Sequence, residues 1–263
     1  MKGEDRIVAG RLFGPATALL ATPTSRWIAG IVVLALLVII PFTLGEYVTV
    51  IMTNALLYVV LALGLNVVVG YAGLLDLGYA AFFAVGAYTV GILTKDVGVN
   101  FWVALPVALC MAAVAGVIIG GPTLRLRSDY LAIVTLGFGE IVRISARNLS
   151  ITGSASGISG IEQPWLFGWH IATPRDFYYV FCFLAAVAVI VSVRLADSRL
   201  GRAWLYVRHD EDVAEAMGID RVRVKLAAYI IGAIFGATGG AFFAVNLGAI
   251  SPESFSFTQS VLI

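Results

Sequence analysis

Few side chains in this sequence could carry covalent chemistry. Its 263 residues include 2 cysteines and 2 histidines. Cys110 and Cys182 both fall inside apolar runs, where a thiol behaves as a small hydrophobe rather than as half of a disulfide or a metal ligand. His170 stands beside Trp169 without a nucleophile or carboxylate near it in sequence, as an interfacial, solvated imidazole would. There is no GxxxxGKS/T phosphate loop, no HExxH, and no GxSxG with suitable partners. No residue is therefore nominated as catalytic and none as a metal ligand. What remains is charge in unusual places: Asp76, the pair Glu140 and Arg143, and the run RHDEDVAEAMGID from Arg208 to Asp220.

That acidic run has the marks of a short helix built for contact. Asp210 or Asp212 can cap its start, Asp212 and Glu215 have capping-box spacing, and Gly218 suits a left-handed stop. Val213, Ala216 and Met217 then share one face, while Glu211 and Glu215 point elsewhere. A helix this short is marginal alone in water. A small apolar ridge rimmed by charge is the pattern of a helix seated in a groove of another protein.

The elements that position these charges are membrane spans. The chain is 60% hydrophobic and 13% charged, with a mean hydropathy of +0.96, against about 45–50% apolar and about 25% charged in soluble domains. The formal net charge of +1 offers no basic field for nucleic acid. Crossing about 30 Å of hydrocarbon takes about 20 apolar residues, and seven segments qualify: 27–44, 47–69, 78–94, 101–120, 129–148, 177–195 and 225–246. The first apolar run starts after Arg26 and is too long for a cleaved signal peptide. The predicted organisation is an all-α transmembrane domain over 27–263, preceded by a cytoplasmic segment 1–26 and interrupted by an outer loop 149–176 and an inner loop 196–224. With the N-terminus inside, Lys2, Arg6, Arg11, Arg26, Arg125, Arg127, Arg194, Arg199, Arg202, Arg208, Arg221, Arg223 and Lys225 are cytoplasmic. Only Lys95, Arg143, Arg147 and Arg175 are outside, so the bias is positive-inside and places the acidic helix in the cytoplasm. The outer loop is Gly/Ser-rich and then carries Trp165 and Trp169, which favours folding back along the membrane surface.

Gly232, Gly236 and Gly240 repeat every four residues, as do Gly116 and Gly120, which lets helix backbones approach closely. Between Gly70 and Gly91, Asp76 lies among Gly70, Gly73 and Gly78. Two readings stand: an inner-side turn at headgroup level, or a broken helix lining a polar route. Glu140 and Arg143 can pair on one face. An intramembrane charge costs about 2.5–3.5 kcal/mol at the bilayer centre, but about 1.5 Å per residue from Asp129 puts Glu140 past the midplane. An outward-facing ion pair and a pathway residue are thus both open. Asn54 and Asn66 fit interhelical hydrogen bonding. Asn66, Gly70, Tyr71, Gly73, Asp76, Gly78 and Glu140 are the candidates for a translocation path.

Asp212, Ala214 and Gly218 also fit the EAA loop (acidic, x, Ala, three residues, Gly) by which ABC-importer membrane subunits dock their ATPases. GYAGLLDLGYAAFFAVGAYTVGIL, LRLRSDYLAIVTLGFGEIVRI, LGRAWLYVRHDEDVAEAMGI and SPESFSF resemble the M-type permease of the branched-chain amino acid ABC transporters, in order and spacing, from about residue 30 to the end. The family usually has TGG or TNG followed by x-NGI where this chain has TGSASGI, and its members continue past SVLI into further helices. The resemblance implies a type II-like importer fold in which Asp210, Glu211, Asp212, Val213, Ala214, Glu215, Ala216, Met217 and Gly218 form the coupling helix. It implies an H-type permease partner, two cytoplasmic ATPases holding ATP and Mg, and a periplasmic binding protein facing the loop from Thr152 to Ile161, all in a bacterial inner membrane. This chain itself would bind no cofactor and import leucine, isoleucine and valine. The competing expectations are a urea or short-amide permease and a stand-alone ion-coupled transporter.

Overall fold

In the computed structural model of the protein, Pro41 and residues 45–123, 128–166 and 168–263 are described. The N-terminal segment 1–26 and nearly all of the expected first span, 27–44, lie outside the described residues. The chain divides into two units, Met1–Ile51 and Met52–Ile263. In the first, the described residues are Pro41 and 45–51, which open helix α1 (Gly45–Asn66).

α1 passes into one π-helical turn, Val67–Tyr71, and the backbone then leaves helical geometry until α2 (Ala80–Lys95). There follow α3 (Phe101–Thr123), α4 (Ser128–Asn148), α5 (Pro174–Ala196), α6 (Arg199–His209), α7 (Glu211–Ala216), α8 (Arg221–Leu247) and α9 (Phe257–Leu262). Local sequence fixes the boundaries. Pro174 opens α5 behind a capping box of Thr173 and Asp176. Asp220 caps α8 at one end, and Gly248 stops it at the other with φ +66.

Each of the six expected spans after the first is a helix, but they are not alike. Among the described residues, four helices are long and apolar enough to cross a membrane: Gly45–Tyr71, Phe101–Gly121, Pro174–Ala196 and Arg221–Leu247. α4 has 21 residues but is less apolar. α2 has 16 residues, or about 24 Å of helix, less than the hydrocarbon thickness of about 30 Å. Of the expected span 78–94, all but Gly78 and Tyr79 are in α2.

α8 is the buried axis of the bundle and packs against both α2 and α3. A Cβ on Gly240 would run into the Phe83 carbonyl of α2, and one on Gly86 into Ala237 of α8, so these two backbones touch without side chains between them. Gly116 and Gly120 of α3 face α8 at Ala233, Tyr229 and Leu226, leaving 3.1–3.3 Å for an added Cβ. Gly232 and Gly236 face Val68 and Phe82. The sequence-predicted packing glycines thus all lie at α8 contacts. Aromatic rings close the seam, with Phe83 and Phe243 at 5.0 Å and Phe101 and Phe242 at 5.1 Å.

The loop after α4 is folded. Thr152 donates to the Ala146 carbonyl (2.6 Å), and β1 (Ile158–Ser159) pairs with β4 (Ala249–Ile250) just beyond α8, in register Ile158 to Ile250. β2 (Trp165–Leu166) and β3 (Trp169–His170) make a hairpin in which Trp165 stacks on His170 at 4.6 Å. The Trp102 indole donates to the Trp165 carbonyl, which ties this hairpin to α3.

If backbone contact at α2 and α8 organises the bundle, Gly240→Leu should destabilise the detergent-solubilised protein by about 3 kcal/mol through overpacking. Gly137→Ala, at a glycine with open space around it, should not. Thermal unfolding of both variants decides it; equal midpoints would remove the role given to Gly240.

Candidate functional site

The charged loop between α5 and α8 is built from the residues upward as a knot. Ser198 caps α6 by accepting from the Gly201 amide (3.1 Å). α6 buries Gly201, Trp204 and Val207 and turns its other side outward. The Trp204 indole donates to the Val224 carbonyl of α8 (2.7 Å), and its ring stacks on Tyr71 with centroids 6.5 Å apart. Tyr71 in turn shares a hydrogen bond with Ser192 of α5 (3.3 Å). The Arg208 guanidinium donates to the Gly70 carbonyl, inside the π-helical turn. Gly73, at φ +73, lets the chain pass beneath the Arg208 stem, where a Cβ would clash. The loop is thereby fastened to the ends of α1, α5 and α8.

α7 follows at once. Asp210 is extended (φ −159) and its carboxylate accepts from the Asp212 and Val213 amides, both at 3.0 Å. Of the two caps and the capping box open in the sequence, Asp210 is the one formed. The helix ends as predicted: Gly218 takes φ +85, and the Ile219 amide returns to the Ala214 carbonyl (3.0 Å). Ala214 is 1% exposed and faces inward. Val213 is 55% and Met217 66% exposed, with Ala216 also exposed, so the expected apolar ridge points away from the bundle. Three acidic side chains of α7 are paired with the start of α8. Arg221 meets Glu215 at 3.2 Å and Asp212 at 3.5 Å, and Lys225 meets Glu211 at 2.6 Å. Lys225, only 3% exposed, is the partner that sequence reasoning did not assign. Its signal is its place as the innermost of three cations, Arg221, Arg223 and Lys225, at the start of an otherwise apolar span.

The candidate path residues divide. Gly70, Tyr71, Gly73, Asp76 and Gly78 all lie in the π-helical turn or the non-helical stretch that joins α1 to α2. Asn66 is exposed at the end of α1. Asp76 is 4% exposed; Oδ1 accepts from the Gly78 amide (2.8 Å), while Oδ2 is buried without a partner. Thr135 of α4 accepts from the Leu77 amide (3.0 Å), and Gly78 lies against the Thr135 backbone. Glu140 belongs to a different feature. It binds Arg143 at 2.8 Å, and Glu253 beyond β4 reaches Arg143 at 3.5 Å and Arg147 at 3.7 Å, making an ion chain near the far end of α4. Asn54 lines a cavity of about 290 Å³ with Leu57, Tyr58, Phe83 and Gln259. Among the described residues no group of three or more His, Cys, Asp and Glu is placed to hold a metal ion.

Comparison with known proteins fits this anatomy. Residues 47–263 match the family described as branched-chain amino acid transport system, permease component. The chain belongs to this family. Among curated members, it is 43% identical to the high-affinity branched-chain amino acid transport system permease protein LivM of Escherichia coli, over 89% of this chain and 60% of the relative. It is 42% identical to LivM of Salmonella typhimurium, over 95% of this chain and 65% of the relative. A more distant relative, at 24% identity, is the permease protein LivH of Salmonella typhimurium. The chain thus spans less than two thirds of the length of the two LivM relatives. No solved structure matches it. The family and the apolar helices make the chain a multi-pass membrane protein.

Two measurements check the local geometry. Asp210→Ala should weaken the cap by about 1 kcal/mol, speeding amide exchange at Val213 and Ala214 about fivefold, whereas Asp210→Asn should hold it. Asp76→Asn keeps an acceptor for the Gly78 amide and replaces the partnerless charged oxygen, so its thermal midpoint should match or exceed wild type; Asp76→Ala should lose about 1–2 kcal/mol.

Proposed function

We propose that this chain is the membrane subunit of an ATP-driven importer of leucine, isoleucine and valine, and that α7 is the helix its ATPase partner grips. The observation that carries this reading is the outward ridge of Val213, Ala216 and Met217 on a helix capped by Asp210 and clamped from behind by Arg221 and Lys225. A six-residue helix is too short to persist on its own, so its fixed presentation of apolar side chains to water suits a partner groove.

In this reading the N-terminus and loop 196–224 are cytoplasmic, which agrees with the distribution of Lys and Arg. An H-type permease pairs with the chain, two ATPases carry ATP and Mg, and a periplasmic binding protein docks on the opposite face near Thr152 to Ile161. The relatives' names supply the permease pair and the substrate class. ATP-driven closure of the motors displaces α7 and rocks the spans between outward- and inward-facing states. The interruption carrying Asp76 lies against α4 and is joined to the coupling loop through Arg208, a placement that suits a route for a zwitterion past apolar walls.

Reconstitution of the complex in vesicles tests the reading. Val213→Asp places a charge in the docking groove and Gly218→Pro removes the left-handed stop, so each should cut ATP-dependent leucine uptake about tenfold or more while insertion persists. Uptake equal to wild type in both would refute docking through α7. Competition of that uptake by valine but not by urea checks the substrate class.

A further inference from the structure

The ion pairs behind α7 differ in kind. Arg221 and its partners Asp212 and Glu215 are solvated, and exposed pairs of this sort fix little. Lys225 is different: its ammonium is buried at the start of α8 and held at 2.6 Å by Glu211, the first residue of α7. No other salt bridge of Lys225 occurs among the described residues. If α7 lifts away from α8 without taking Lys225 along, a buried cation is left alone, which is far more costly than separating a surface pair. α8 cannot easily yield elsewhere, because its backbone touches α2 at Gly240 and Gly86 and meets α3 at Gly116 and Gly120. The indole of Trp204 holds the Val224 carbonyl, one residue before Lys225, so α6 is fixed to the same point.

We propose that Lys225 is the transmission residue of this permease: through the pair its buried ammonium makes with the half-exposed Glu211, displacement of α7 is passed to α8 and, by backbone contact, to α2 and α3. The pair makes α7 and the buried axis of the bundle move together, where a hinge between them would otherwise absorb the stroke. Lys225 is a positioning residue and touches neither substrate nor nucleotide. This inference rests on α7 being the helix that meets the ATPase.

The test uses the full complex with its permease partner, ATPases and binding protein in vesicles, and reads leucine taken up per ATP hydrolysed. Lys225→Met should retain ATPase binding and hydrolysis but lower uptake per ATP about tenfold, and Glu211→Gln should lower uptake per ATP to a similar extent. The reversed pair Lys225→Glu with Glu211→Lys should recover it to within about threefold of wild type. Lys225→Met combined with Glu211→Met removes the link without leaving a buried charge, so it covers the case in which a single variant fails to assemble. This double variant should assemble and stay uncoupled. Wild-type uptake per ATP in the double apolar variant would show that the pair only neutralises a buried ammonium, and would overturn the proposal, as would unchanged coupling in both single variants. Failure of the docking reading looks different: the ATPase would co-purify equally with wild type and with Val213→Asp, whatever residue stands at 225.

Discussion

A bilayer offers peptide groups no hydrogen bonds, so a chain that stops being helical at membrane depth must find partners for every freed group within the protein. The interruption between α1 and α2, wherever it lies along the bilayer normal, draws several of its partners from other elements. The Gly70 carbonyl takes Arg208 of α6, the Leu77 amide takes Thr135 of α4, and the Ala80 amide takes Ser260 of α9. Others are served locally: the Gly78 amide by Asp76, and the Ala72 and Leu74 amides by the Val67 and Val68 carbonyls. Three distant parts of the chain therefore converge on one break, and the break positions them as much as they satisfy it. It also gives α2 its short length and brings Phe83 and Gly86 to the level where α8 presents Gly240 and Ala237.

Around that point the bundle has a stiff centre and an articulated end. α8, α2 and α3 meet through glycines at close approach, with packed aromatic rings filling the seam between them. The knot of α6 and α7 is held by a different set of forces: one indole hydrogen bond, one stacked pair, one arginine to a carbonyl, and ion pairs of graded burial. Directional contacts of this kind can have two discrete arrangements, which an element that switches requires.

Much of this is readable from residue types where the cause is local. The cap at Asp210, the stop at Gly218 and the ridge of Val213, Ala216 and Met217 follow from propensities within nine residues, and the structure has all of them. The glycines at four-residue spacing likewise announce close packing, although not which helix they meet. Features that depend on distant partners are not readable in this way. Lys225 counts in the sequence as one more cation for topology, because its pairing with Glu211 requires the turn through Gly218 and Asp220 to bring α7 back along α8. Glu140 and Arg143 are three apart and legible as a pair, but Glu253 arrives only through the return of the chain after β4. The folded loop of TGSASGI owes its order to strand pairing with Ala249–Ile250, which no local composition encodes.

The chain beyond β4 adds a consequence of its own. Glu253, which bridges Arg143 and Arg147, is largely open to solvent, unlike the pair that Lys225 makes at the opposite end of α8. Dissolved ions weaken attractions between exposed groups and hardly touch enclosed ones. Salt should therefore loosen the tie between the segment after β4 and α4 sooner than the contact of Lys225 at the opposite end of α8, leaving the strand pairing at Ala249–Ile250 to hold that corner in brine.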